Sequence, residues 1–140
     1  MNTANKASGV AVFYGSTVLL AKRSKYCYIT GEPAPFGGYW SIFAGALEAN
    51  EKPKECAARE ALEEANIKLD PNKFKYINTI TDGKIKLRMY AVESNKILYP
   101  KLNPEHTAYG WFDVNTLSSF AEKIDPKITK SVIKYAKTRK

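Results

Sequence analysis

The stretch Pro53-Lys-Glu-Cys-Ala-Ala-Arg-Glu-Ala-Leu-Glu-Glu-Ala65 constrains the fold more than any other part of this chain. It is rich in Ala, Glu and Leu, which are strong helix formers, and Pro53 suits a first helical turn. At about 100° per residue, with Glu60 set at zero, Glu63 falls near 300° and Glu64 near 40°. The three carboxylates therefore share an arc of about 100°. Ala58, Ala61, Leu62 and Ala65 fall between about 100° and 200°, the face expected to pack on a core. Cys56 and Ala57 flank the acidic arc and are small. Like charges one turn apart destabilise a helix. A hard divalent cation with oxygen ligands would remove that repulsion. The plainer reading is a solvated, charged helix face. Arg59, four residues from both Glu55 and Glu63, reads either as two surface ion pairs or as a group that orients a carboxylate.

The rest of the chain sets these acids apart. Lys and Arg number 22 and Asp and Glu 14, for a net charge of +8. Yet six of the fourteen acids (Glu48, Glu51, Glu55, Glu60, Glu63 and Glu64) fall within seventeen residues. The basic balance suits an anionic ligand such as a phosphate ester, and would also suit nucleic acid. A chain of 140 residues is expected to make one domain over 1–140. No apolar run reaches the roughly 18 residues of a membrane span. Met1 to Ser8 is polar, with no signal-peptide core. Cys27 and Cys56 set no disulfide framework and fit a reducing compartment, so a cytoplasmic location is expected.

Strands are expected at Ser8 to Tyr14 and Val18 to Ala21, joined at Gly15-Ser16. Lys22 to Tyr39, with Gly31, Pro33, Pro35, Gly37 and Gly38, reads as an exposed loop. Trp40 to Phe43 reads as one short buried strand. Lys73 to Thr81 and Lys84 to Glu93 flank Asp82-Gly83, a hairpin signal. Ala108 to Val114 reads as a further strand. Asp125-Pro126 opens a closing helix to about Lys137, and the polar residues after Tyr135 are expected to fray. Mixed strands and helices in one unit point to an α/β sandwich.

Two segments combine into a longer pattern: Gly45-Ala-Leu-Glu-Ala-Asn-Glu51, seven residues, then Arg59-Glu-Ala-Leu-Glu-Glu-Ala-Asn-Ile67. This resembles the Nudix box: Gly, five residues, Glu, seven residues, Arg-Glu, an aliphatic, any residue, Glu-Glu, any residue, Gly, an aliphatic. Gly45, Glu51, Arg59, Glu60, Glu63, Glu64 and Ile67 match. Ala61 stands where a larger aliphatic is usual, and Asn66 where Gly is usual. Asn tolerates the left-handed conformation that ends a helix, so the fold is expected to survive. The resemblance extends to Leu19–Arg23, to Trp40–Gly45 (with Phe43-Ala44 replacing a usual Pro-Gly), and to Glu105–Phe112.

The resemblance implies a Nudix-type α/β/α sandwich around a mixed β-sheet. It implies hydrolysis of a nucleoside diphosphate linked to another group, using Mg²⁺ or Mn²⁺. By position, Glu60, Glu63 and Glu64 would supply metal ligands, with the Gly45 carbonyl a further one. Glu51 and Arg59 would brace the loop against the helix. Glu93 and Glu105 lie after the box, where the family often has an extra acid for the metal or the water; otherwise they are solvated.

Other residues carry two readings each. Arg23 could contact phosphate or be a plain surface charge. Tyr39, Trp40 and Tyr90 could stack a base, but aromatic residues in strands are usually core. His106 reads as a loop residue, and Cys56 as packing. Lys123 to Lys140 holds seven Lys/Arg and one acid; a solvated helix face is favoured over nucleic acid. The expected substrate is a free nucleoside di- or triphosphate, or a small derivative. Family members that prefer ADP-ribose tend to carry a proline about sixteen residues past the Asn66 position, and here that residue is Asp82. Those that prefer dinucleoside polyphosphates tend to carry a tyrosine nearby, and here Gly83 follows. The alternatives are a nucleotide-sugar or ADP-ribose pyrophosphatase and an RNA 5′-end pyrophosphohydrolase. A non-catalytic nucleotide-binding module is argued against by the intact acids.

Overall fold

The computed structural model describes residues 5–34, 37–120 and 122–139. Pro35, the first four residues of the polar start, and Lys140 of the basic tail lie outside them.

β1 (Lys6–Tyr14) and β2 (Thr17–Arg23) leave the turn at Gly15 as antiparallel partners. They pair only at Phe13↔Val18 and Tyr14↔Thr17, then separate. The fork between them is filled by β3 (Trp40–Ser41), paired to β2, and β4 (Phe43–Ala46), paired to β1. The expected single strand from Trp40 to Phe43 is thus broken at Ile42, where the pairing partner changes. β1 and β4 approach closely at Gly9, where a Cβ would lie 2.7 Å from the Ala44 Cβ.

β6 (Ile85–Glu93) runs parallel to β1 and makes the sheet mixed. β5 (Lys75–Asp82) returns antiparallel to it through a turn in which Gly83 has φ 61°. β5 starts two residues later than expected because Pro71–Lys73 form a short 3₁₀ turn. β7 (His106–Asp113) pairs along the other edge of β2 and starts two residues earlier than expected.

Alternation along the strands loads both faces of the sheet. Ala11, Phe13, Leu20 and Met89 meet Ile128, Val132 and Tyr135 of α2 (Pro126–Thr138). Val10, Val12, Leu19 and Tyr90 meet Ala57, Ala61 and Ala65 of α1 (Pro53–Ala65). The result is the expected α/β/α sandwich. Among the described residues, no helix is long and apolar enough to cross a membrane.

α1 spans the expected residues, but its buried face is rotated. Leu62, placed on the core face by periodicity, is 47% exposed, while Glu64 is 2% exposed. The buried set is Cys56, Ala57, Ala61, Glu64 and Ala65. α1 ends as its sequence suggests. Asn66 takes φ 55°, ψ 37°, and its N–H bonds the Leu62 carbonyl at 2.9 Å. Asn66→Gly is therefore expected to change stability by less than about 0.5 kcal/mol and activity less than about threefold, whereas Asn66→Val costs about 1–2 kcal/mol. Thermal unfolding and initial rates check this.

The 24–38 loop is tied at its stem, where the Arg23 N–H bonds the Tyr39 carbonyl at 2.8 Å and the Gly38 N–H bonds the Arg23 carbonyl at 2.9 Å. At the other end of the sheet, Arg139 donates to Glu93 and to the Gly15 carbonyl and stacks on Phe13. The segment after Tyr135, expected to fray, is helical to Thr138 and held by Arg139.

Candidate active site

β4 delivers the chain to a short loop that feeds α1, and Arg59 reaches back from the helix to hold that loop. Its Nε and Nη2 donate to Glu51 at 2.7 and 3.0 Å, a bidentate pair. Nη2 also donates to the Ala46 carbonyl at 3.1 Å. Nη1 donates to Glu60 at 2.7 Å and to Glu63 at 3.2 Å. Arg59 on the helix and Glu51 on the loop, the two residues expected to brace the loop, are thus brought together. The alternative partner of Arg59, Glu55, instead accepts from the Lys52 N–H at 3.3 Å and helps to cap α1.

The Arg59 guanidinium holds the Glu51 carboxyl below its ordinary range. A depressed carboxyl contributes stability above the unfolded value and loses it as pH falls through the folded value. The stability gap between the wild type and Glu51→Gln is therefore expected to be widest at neutral pH and to narrow as pH falls below the ordinary carboxylate range. Unfolding midpoints at pH 7 and pH 3 check this.

Glu60 and Glu64 converge beneath β4. A Cβ built on Gly45 would lie 2.3 Å from the Glu60 Cδ, so the carboxylate occupies the space the glycine leaves. Burial first, then the neighbouring Glu60 carboxylate, pushes the Glu64 pKa up. Its Oε1 is buried with no hydrogen-bond partner. His106 is not a loop residue: it opens β7, is 5% exposed, and packs edge-on to Phe43. Its Nε2 lies 4.0 Å from Glu64 Oε1, and both ring nitrogens are unpartnered. Burial lowers its pKa to about 4, so it is neutral at pH 7. Its only sequence signal was being the single histidine, next to Glu105. Among the described residues, no three acid, histidine or cysteine side chains are gathered around one cation-sized point. Glu63 is instead held outward by Arg59. Cys56, buried, donates to the Gly45 carbonyl at 3.4 Å, and burial raises its pKa to about 12. It packs, as expected.

Gly45 also borders a cleft of about 310 Å³ between β4, the β5–β6 hairpin and the start of α2. Tyr39, Trp40, Ile80, Leu87 and Ile128 wall it, and Arg23 stands with them. Two of the three aromatics considered for a base are therefore here. Trp40 is 8% exposed and anchored through Nε1 to Glu122 at 2.8 Å, so it is both wall and core. Tyr90 is not in the cleft: it faces α1 on the opposite side of the sheet. Glu93 is not at the site either. It closes β6 opposite Phe13, accepts from Tyr135 at 2.7 Å and pairs with Arg139. Glu105 is close enough for its charge to help raise the Glu64 pKa, and it accepts from Asn103 at 3.0 Å.

The description NUDIX domain belongs to a family model that matches residues 4–134. The chain is a member of the Nudix family. Over 86 residues it is 31% identical to an octanoyltransferase of Myxococcus xanthus, covering 57% of this chain and 24% of that one. The chain thus spans about a quarter of the length of that curated relative. Three solved structures share the fold. The Nudix hydrolase of Nitrosomonas europaea superposes at TM-score 0.75 with 21% identity, covering 99% of this chain and 73% of the other. The dihydroneopterin triphosphate pyrophosphohydrolase of E. coli gives 0.70 with 15% identity, at 96% and 97% coverage. The NUDIX domain of Shewanella oneidensis NrtR, complexed with ADP ribose, gives 0.70 with 13% identity, at 94% and 88%.

Proposed function

We propose that this chain is a Nudix-type pyrophosphohydrolase that cleaves the diphosphate linkage of a free nucleoside di- or triphosphate, or a small derivative, with Mg²⁺ or Mn²⁺. The observation that carries this reading is the buried, unpartnered Glu64 oxygen beside a Glu60 carboxylate seated on Gly45, at the edge of the cleft. A carboxylate buried without a partner is costly, and a hard cation with oxygen ligands removes the cost. Glu60 and Glu64 fit the group as oxygen donors, and Glu63 would have to leave Arg59 to join them. Glu60, Glu64 and the Gly45 carbonyl would hold it, with Glu63 from the same helix. Such a cation neutralises phosphate charge and lowers the pKa of an attacking water.

The chain's own residues do the rest. Arg59 and Glu51 fix the loop so that Gly45 and Glu60 stay in register. Arg23 stands where it can meet a phosphate oxygen. Tyr39, Trp40, Ile80, Leu87 and Ile128 offer an apolar slot suited to a nucleobase more than to a sugar. The E. coli neighbour acts, by its name, on a triphosphate. Both cysteines are free thiols, which suits a reducing, cytoplasmic setting.

A panel of nucleotides at equal concentration, with products separated by chromatography, tests the reading. The expected result is nucleoside monophosphate with pyrophosphate or phosphate, at the highest kcat/KM, and restoration by Mg²⁺ or Mn²⁺ after chelation. A tenfold preference for ADP-ribose or a nucleotide sugar, about 1.4 kcal/mol of transition-state binding, defeats the substrate class. Full turnover in excess chelator defeats the mechanism.

A further inference from the structure

We propose that Lys86, Arg88 and Lys54 build a second phosphate-binding site, on the α1 side of the sheet and separate from the carboxylates. Two local arrangements there run against stability. Lys6 and Lys86 are Cα partners in the parallel pairing of β1 and β6, so two like charges stand side by side. Lys52 and Lys54 sit at the N-terminus of α1, the positive end of its dipole, where lysine is disfavoured. Local rules are broken most often where a site requires it.

The first arrangement lines a recess of about 180 Å³ with Thr79 and Arg88, and Pro53, which stands between Lys52 and Lys54, borders the same recess. Lys86 and Arg88 are two residues apart on one strand, so their Cα atoms lie about 6.6 Å apart on the same face. Among the described residues, none of Lys54, Lys86 and Arg88 forms an ion pair.

Arg88 is exposed yet held in place. Its Nε donates to the Tyr90 hydroxyl at 2.8 Å, and its guanidinium lies 4.5 Å over the Tyr76 ring. The Lys54 ammonium reaches the same Tyr90 ring at 6.0 Å. That leaves the Arg88 terminal nitrogens to donate to a doubly accepting anion, the geometry suited to phosphate. Lys6 and Ala7 line both this recess and the apolar cleft. The phosphate therefore comes from one of two sources: a distal phosphate of the molecule in the cleft, or a separate phosphate-bearing ligand.

The test titrates the full chain with inorganic tripolyphosphate at low salt and no added metal, followed by calorimetry. Binding to the wild type is expected to weaken at least about tenfold in Lys86→Gln/Arg88→Gln and to survive in the charge-preserving Lys86→Arg. Circular dichroism confirms the fold, since both side chains are exposed. Equal binding by the wild type and the double variant, or no binding at millimolar tripolyphosphate, overturns the site. Kinetics with Mg²⁺ then separate the sources. A rise in KM for a nucleoside triphosphate but not its diphosphate, at unchanged kcat, assigns the site to the substrate's own tail. Lost tripolyphosphate binding with both KM values unchanged assigns it to a separate ligand. The binding arm needs no turnover, so its result stands apart from the nature of the reaction.

Discussion

Glu64→Gln is expected to lower kcat at least about a hundredfold while making the metal-free protein more stable by about 1–2 kcal/mol. The two effects have one cause. Glu64 is buried, its Oε1 lacks a partner, and Glu60 crowds it. The neutral amide removes both the desolvation of charge and the repulsion. It also removes a negative ligand from the proposed cation site. Glu63→Gln is expected to lose rate by a similar factor without the gain in stability, because Glu63 is exposed and paired to Arg59. Initial rates at saturating Mg²⁺ and thermal unfolding with chelator measure the two quantities. Near-normal rates in both variants would reduce the acidic arc to a charged surface.

Gly45→Ala is expected to cost about a hundredfold in kcat with little change in stability. Its added Cβ would lie 2.3 Å from the Glu60 Cδ and one carboxylate oxygen. The far end of a glutamate can swing away, so the fold tolerates the methyl. Gly45 does not have positive φ, so Ala adds no backbone strain. The carboxylate, however, leaves its place against the loop, and a displacement of about 1 Å at a reacting centre costs about that factor. The measurement pairs kcat with Mg²⁺ affinity, and both are expected to fall. A wild-type rate would show that Glu60 acts from another position.

The parts legible in the sequence are those specified by local chemistry. Pro53 at the first turn and Asn66 in the left-handed region bound α1 at the expected residues. Asp82-Gly83 marks the hairpin. The spacing from Gly45 to Ile67 marks the carboxylates and their arginine brace. What stayed hidden depends on pairing and on burial that opposes hydrophobicity. The break at Ile42 follows from β3 and β4 joining different strands, which no local pattern encodes. Periodicity placed Leu62 inward and Glu64 on the acidic face, yet the helix turns Glu64 into the protein and Leu62 out of it. Tyr90 and Trp40 looked alike as strand aromatics, and only the sheet face tells them apart. Glu93, an acid after the box, is claimed by Arg139 from the far end of the chain.

The hydrogen bonds joining Arg23 to Tyr39 and Gly38 give the 24–38 loop a closed stem. Because the closure entropy of a loop rises only slowly with its length, segments between fixed ends can be lengthened or exchanged at small cost. The strands on either side, β2 and β3, are registered by the sheet and not by the loop. Some fifteen residues can therefore be rewritten while the cleft between its fixed walls, the carboxylates and their brace keep their places.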